Sequence, residues 1–318
     1  MDNKMITLSI VVPCYNEEEA LPKTNDALLA FVKKRIAENK ISDESRIYYV
    51  DDGSRDKTWA CIEDYSRSSE LVEGIKLSRN CGHQNALLAG LFSVPGDAVI
   101  SIDADLQDDI NAMGLMLEEF LSGVDVVYGV RIDRTTDSFF KRFTADLYYK
   151  ILRKLGVEVV HNHADYRLMS RRAIEALKEF SEVNVYVRGL IPLVGFRSSL
   201  VFYKREPRTA GESKYPLRKM LSLAWQGVTS MSVVPLRFVT ATGLVVFVLS
   251  ILLSLFIVSV KLFTDRALPG WASTVLPIYL LGGVQILCIG ILGEYLGKIY
   301  LETKSRPRYT IEKITARK

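Results

Sequence analysis

The chain has 318 residues, is 48% hydrophobic, and sets 41 Lys and Arg against 37 Asp and Glu, for a formal charge of +4 at pH 7. So small an excess gives no support for a nucleic-acid partner. Cys14, Cys61, Cys81 and Cys288 form no CxxC pair and no zinc-type spacing, which leaves four reduced thiols. The start, "MITLSIVVPCYNEEE", lacks a basic n-region and a cleavage site, so no cleaved leader is expected.

In chain order, the β-branched run "LSIVVP" predicts a buried strand. Residues 17–38 predict a helix with an acidic first turn, favourable to its dipole. "RIYYVDDGS" predicts a second strand closing in a turn, and "DKTWACIEDYSR" a helix. "VEGIKLS" and "NALLAGLFSV" repeat the pattern, as do "DAVISIDADL" and "INAMGLMLEEFLSG"; "VDVVYGVR" is a fifth strand. This alternation predicts an α/β fold with a mostly parallel sheet covered by helices on both faces. In such sheets ligands bind at the carboxyl ends of the strands. Three polar clusters fall on that edge: "PCYNEE", "DDGS" and "DADLQD". The first turn has no GxGxxG, which argues against a dinucleotide oxidoreductase.

The acidic run "SIDADLQDD" (101–109) needs a positive partner, because like charges this close repel. Asp103 and Asp105 alternate at a predicted strand end, which would turn both carboxylates to one face. Two hard oxygen donors suit Mg²⁺ or Mn²⁺ with positions left for phosphate oxygens. Such an ion stabilises a departing diphosphate.

The later chain is apolar. Residues 238–260 carry no charge, and a second uncharged stretch runs from 267 to 293. Each covers a bilayer core of about 30 Å. Expected spans are 238–260 and 273–295, within a hairpin of residues 237–298. Arg218, Lys219 and Arg237 flank one end, and Lys298, Lys304, Arg306 and Arg308 the other, which puts both flanks in the cytoplasm. Residues 1–215 are then a cytoplasmic domain, 216–236 an amphipathic helix at the membrane interface carrying Trp225, and 299–318 a cytoplasmic tail. Gly282, Gly283, Gly290, Gly293 and Gly297 suit close helix packing, within the hairpin or between subunits of a homo-oligomer.

"VVPCYNEEE", "VDDGSRD", "LSRNCGHQNALLAGL" and "IDADLQD" resemble the inverting glycosyltransferases of family 2, which have the GT-A fold, over residues 6–215. "YGVRIDR", "DYRLMSRRAI", "RTAGESKY", "PLR" and "LGGVQILCIGILGEYLGKIYLETKSRPRY" extend the resemblance to the polyprenyl-phosphate glycosyltransferases, bactoprenol glucosyltransferases foremost. Relatives in that group use UDP-formamidoarabinose or GDP-mannose. The resemblance implies that Pro13, Tyr15, Glu17, Asp52 and Asp103 bind the nucleotide, with Gly53 and Ser54 forming a tight turn. It implies that Asp103 and Asp105 hold the metal, followed by Gln107, and that Asp165 is the acceptor-side carboxylate often assigned as base. Tyr15 as packing, Glu17 as a helix charge, and Asp165 as an ion-pair partner of Arg167 or Arg171 stay open.

A phosphomonoester acceptor needs no base, because its second pKa lies near ~6. It needs cations, and Arg131, Arg134, Lys141, Arg142, Arg208 and Lys214 are the candidates. Arg131, Arg142, Arg208 and Lys214 are taken as the acceptor-phosphate set, with Arg131 and Lys214 foremost. His161 and His163 read as a plain polar loop, and His83 is left without a role. The expected activity is transfer of a hexose from a nucleotide sugar, UDP-glucose first, to undecaprenyl phosphate at the bacterial inner membrane, with UDP-4-formamido-arabinose, UDP-GlcNAc or GDP-mannose as the alternative donors. A processive polysaccharide synthase would carry QxxRW and more spans, and neither is present. A catalytically silent GT-A membrane scaffold is the rival from another class.

Overall fold

The computed structural model describes residues 5–132, 163–183, 186–204, 234–263 and 270–315. The five expected strands are β1 (Leu8–Cys14), β2 (Arg46–Asp51), β3 (Val72–Leu77), β4 (Ala98–Ser101) and β5 (Val126–Arg131). Between them run α1 (Leu21–Ala37), α2 (Thr58–Ser68), α3 (His83–Ser93) and α4 (Ala112–Leu121). Every residue of β1 is buried, as a parallel strand covered on both faces requires.

Two local expectations are corrected. α1 starts at Leu21 with Pro22 in its first turn, and no acidic residue lies in that turn. Proline suits this position because its missing N–H has no partner to lose there. Glu17 and Glu18 instead dock on the start of α2: the Glu17 N–H donates to Thr58 Oγ1 (2.8 Å), and Glu18 Oε2 accepts from the Lys57 N–H (2.9 Å). β4 ends at Ser101, so Asp103 and Asp105 stand in the turn beyond it rather than on the strand. That turn, with Leu106 in the left-handed region (φ 53°), sets their directions in place of strand alternation.

Past β5 the described chain adds β6 (His163–Ser170), α5 (Arg171–Lys178), α6 (Val187–Leu193), β7 (Ser198–Tyr203), α7 (Val234–Phe263), α8 (Gly270–Lys304) and β8 (Ile311–Ile314). The sheet order among the described residues is β7-β5-β6-β4-β1-β2-β3-β8. β1, β2, β3 and β4 pair in parallel, and β5 pairs in parallel with β7. β6 enters between β4 and β5 antiparallel to both. This is the mostly parallel, Rossmann-like GT-A arrangement.

Strand alternation divides the core between the two faces. Leu8, Ile10, Val12 and Tyr49 pack with Leu28, Phe31 and Ile62 from α1 and α2. Val11, Tyr48, Val50 and Ile75 pack on the other face with Leu87 and Leu91 of α3 and Val187, Leu190 and Ile191 of α6. Gly90 brings α3 close to the sheet; a Cβ there would lie 2.3 Å from Val11 Cγ1.

α7 and α8 lie against each other and present large apolar side chains outward, among them Phe238, Leu255, Phe256, Ile286 and Ile289. Two spans are expected from the sequence. Among the described residues, one stretch, Leu281–Lys304 of α8, is long and apolar enough to cross a bilayer, and Val234–Val246 of α7 is a shorter apolar stretch. The expected interfacial helix lies outside the described residues up to 233, and residues 234–236 belong to α7. The tail is more than a tail. α8 runs on to Lys304, and β8 then pairs antiparallel with β3, Ile75 facing Ile314. Thr315 closes the pairing: its N–H donates to the Gly74 carbonyl and its Oγ1 accepts from the Gly74 N–H, both at 2.9 Å. Lys76 meets Glu312 at 3.3 Å, and Lys313 meets Glu63 of α2 at 2.6 Å. The open edge of β3 is thereby covered.

Candidate active site

At the carboxyl end of the sheet the turns after β1 and β2 interlock. The Asn16 N–H donates to Ser54 Oγ (3.0 Å), the Arg55 N–H donates to Asn16 Oδ1 (2.9 Å), and the Asp52 N–H donates to the Cys14 carbonyl (2.9 Å). Asn16 holds φ 54°, a conformation its short polar side chain tolerates. Pro13 is buried within β1, opposite Val50, while Tyr15 is exposed at the mouth.

Asp52 is buried, and both of its oxygens are engaged: Oδ1 accepts from the Cys81 N–H (2.6 Å) and Oδ2 from the Gly82 N–H (2.9 Å). Burial raises its pKa against the pull of those two N–H groups. Asp52 therefore pins the loop before α3 onto the turn after β2. Gly53 (φ +67°) is pressed into that loop, and a Cβ would lie 2.6 Å from the Arg79 carbonyl carbon and the Asn80 nitrogen. Gly53→Ala thus meets both backbone strain and a clash with main chain, costing about 1–3 kcal/mol. Thermal unfolding checks this: a lower melting temperature is expected for Gly53→Ala.

β6 supplies the geometry that the sequence does not announce. Its antiparallel register sets Arg167 beside Ser101, so Asp165, two residues earlier, comes to the turn that holds Asp103. Ser101 Oγ donates to the Asp165 carbonyl (2.6 Å) and fixes this step. The Asp165 carboxylate accepts two bonds from Arg188 of α6 (3.1 and 3.2 Å) and one from Arg167 (2.5 Å). His83, the first residue of α3, places Nε2 3.6 Å from both Asp165 and Asp103. Five side chains from four segments thus meet at one edge. Arg171 is not among them: it donates to the carbonyls of Val94 and Gly96.

The electrostatics follow from the pairing. Burial alone would raise the Asp165 pKa, but Arg188, His83 and Arg167 hold it well below the usual carboxylate range. Burial alone would lower the His83 pKa, and the Asp165 hydrogen bond and the Asp103 charge raise it instead. Asp103 differs: burial raises it to about 6, with only His83 pulling it down against the charges of Asp165, Asp108 and Asp105. About a third of its side chain (36%) still reaches solvent. Asp105 Oδ1 accepts from the Gln107 N–H at 3.3 Å, and Gln107 is buried.

Negative charge concentrated at an open turn is what a hard divalent cation relieves. Asp103 and Asp105 have the oxygen chemistry for Mg²⁺ or Mn²⁺. Among the described residues no three His, Cys, Asp or Glu side chains cluster to hold a metal by themselves. Donor phosphate oxygens would complete the coordination, so the two carboxylates fit a metal brought in with a nucleotide.

Arg131 ends β5, where its guanidinium donates to Asp108 Oδ1 (Nη2 at 2.9 Å) and to the Tyr203 hydroxyl (Nε at 3.1 Å). Burial lowers its pKa, but Asp108 and Tyr203 raise it further, so it is a permanent cation already carrying a buried counter-charge. Arg134, Lys141, Arg142, Arg208, Lys214 and His161 lie outside the described residues. Arg188, Asp108 and Tyr203 are additions that the sequence did not single out. Asp-x-Arg at 165 and 167 is the one local signal, since alternation on a strand puts both side chains on one face.

The description "Glycosyl transferase family 2" matches residues 9–178. The uncharacterized glycosyltransferase YkoT of Bacillus subtilis is 47% identical over 98% of this chain and 93% of its own length. The bactoprenol glucosyl transferase of Shigella phage SfX is 40% identical over 96% of this chain and 98% of its own. Among solved structures, glucosyl-3-phosphoglycerate synthase of Mycobacterium tuberculosis is similar with a TM-score of 0.47 and 18% identity, covering 70% of this chain and 76% of that one.

Proposed function

The chain belongs to glycosyl transferase family 2, and from that premise we propose that it transfers a hexose, glucose from UDP-glucose, to undecaprenyl phosphate with inversion at the anomeric carbon. The observation that carries this reading is the meeting of Asp103, Asp165, His83, Arg188 and Arg167 where β4 and β6 end. It joins a metal-competent acidic turn to a carboxylate that is held ionised by cations. The name of the phage relative, a bactoprenol glucosyl transferase, supports the sugar and the lipid.

The chemistry follows from the charges. Undecaprenyl phosphate is already an oxyanion near neutral pH. The nucleophile therefore needs positioning and not deprotonation. Asp165, with its pKa well depressed, is a weak base and a strong anchor. It orients Arg188 and His83, both partly exposed, toward the place where the phosphate arrives. Asp103 and Asp105 would hold Mg²⁺ or Mn²⁺, and the ion would supply charge stabilisation to the departing diphosphate. Asp52 and Gly53 shape the nucleotide side by fixing the loop before α3; Tyr15 and Glu17, both accessible, remain proposed nucleotide contacts, whereas the buried Pro13 can act only through the backbone of β1.

The same reading places the protein in the inner membrane of a bacterium, with residues 1–215 and the tail on the cytoplasmic face. β8 pairs with β3 after α8, so the tail lies on the same side as the sheet, whichever side that is. An even number of crossings satisfies that return, and one crossing each by α7 and α8 is the proposed pair. Arg142, Arg208 and Lys214 remain the proposed cations for the acceptor phosphate, and residues 216–236 the proposed interfacial helix.

Purified protein in detergent with undecaprenyl phosphate, Mg²⁺ or Mn²⁺, and a panel of labelled nucleotide sugars tests the proposal. Label should enter the lipid from UDP-glucose and be lost with EDTA. Label from another donor alone overturns the sugar assignment. Nucleotide binding without transfer from any donor favours the silent scaffold.

A further inference from the structure

α6 is too short to hold itself in place: it has seven residues and contains Pro192. Yet it carries Arg188, whose two bonds to Asp165 require the backbone to be set within a fraction of an ångström. Its fixings therefore come from outside. On one side the Val187 N–H donates to Gln84 Oε1 of α3 at 2.8 Å. On the other, the chain just after α5, residues 180–183, is gripped by the end of α8 and the segment that follows it. The Val183 N–H donates to Glu302 Oε2 in the last turn of α8 at 2.7 Å, and Arg308 donates to the Phe180 carbonyl. Phe180 packs in the same cluster as Tyr309, Ile311 and the buried residues of α6.

These backbone groups lie between two helices, and half-buried polar backbone must find partners. Here the partners are charged side chains from more than a hundred positions away. We infer that Glu302 and Arg308 form a positioning strut, through which the segment joining α8 to β8 sets where Arg188 meets Asp165. The inference rests on the transfer reaction proposed above. The site is then complete only when the tail has come back to the sheet. Glu302 and Arg308 touch no donor or acceptor in this reading and act through the loop.

The test uses the full chain in lipid nanodiscs. Glu302→Ala should lower kcat about tenfold, with the KM for the nucleotide sugar unchanged, because the donor-side groups lie on other elements. Glu302→Gln keeps an acceptor oxygen and should recover most of that loss. Arg308→Met should behave like Glu302→Ala. Hydrogen exchange gives a readout independent of turnover: peptides covering 180–192 should exchange faster in Glu302→Ala and near the wild-type rate in Glu302→Gln. Unchanged exchange there in Glu302→Ala overturns the strut, as does an equal kcat loss in the Ala and Gln variants with a lowered melting temperature in both. If the unaltered protein transfers no sugar from any donor, the proposed reaction fails, and the exchange comparison still decides the strut.

Discussion

Asp165→Asn should cost the protein stability as well as turnover. The side chain of Arg167 has no exposed surface, and Asp165 is the carboxylate that faces it at 2.5 Å. Burial lowers the Arg167 pKa, and Asp165 pulls the other way. Asparagine preserves the shape and removes the charge, which leaves a buried guanidinium facing a neutral amide. Removing one partner of a buried pair costs about 3–5 kcal/mol. A thermal melt beside an activity assay checks it: both should fall. A residue serving only as a base would lose turnover at an unchanged melting temperature, and that result would sink the clamp. The pH dependence has a definite sign. The folded pKa of Asp165 lies below its unfolded value, so its contribution is complete above the ordinary carboxylate pKa of about 4. It is lost as pH falls through the depressed value, and the acid limb of the stability curve should be shallower in Asp165→Asn.

Asp105→Asn should do the reverse: a large loss of transfer and almost none of stability. Asp105 sits in the turn beyond β4, partly exposed, in a region already rich in negative charge. Removing one of several like charges relieves repulsion, and surface changes of this kind move stability by about 0.5 kcal/mol or less. Losing an oxygen of the proposed metal site would remove charge stabilisation that develops with the leaving group, about 10²–10³ in rate. Titration of UDP with and without Mn²⁺ separates the effects. The unaltered protein should bind more tightly with the ion, and the variant should lose most of that difference. A variant with full turnover would remove Asp105 from the metal site.

Much of the α/β half was legible in the sequence because its physics is local. "LSIVVP" and "RIYYV" are apolar, β-branched runs, and runs of that kind become buried parallel strands. Where local signals compete, the reading slipped. Glu17 to Glu19 look like a helix start, but Pro22 and the docking on Thr58 and Lys57 move the start to Leu21. "SIDADL" alternates like a strand, but the strand ends at Ser101. β6 escaped notice because "HADYRLMS" places Asp165 and Arg167 in an interior strand, and their mutual pairing makes that burial tolerable. Arg188 gave no signal at all: its role arises only when α6 and β6 are packed together.

The pairing of β8 with β3 also bears on how the protein is made. Gly74 and Thr315 are 241 positions apart. At synthesis rates of about 5–20 residues/s this separation corresponds to roughly 10–50 s. Through that interval the edge of β3 has no partner, although the strands beside it have already left the ribosome. The last strand arrives only after both long apolar helices have been synthesised. The sheet is therefore completed only after α7 and α8 have left the ribosome, and until then the edge of β3 stays open to pairing with another chain.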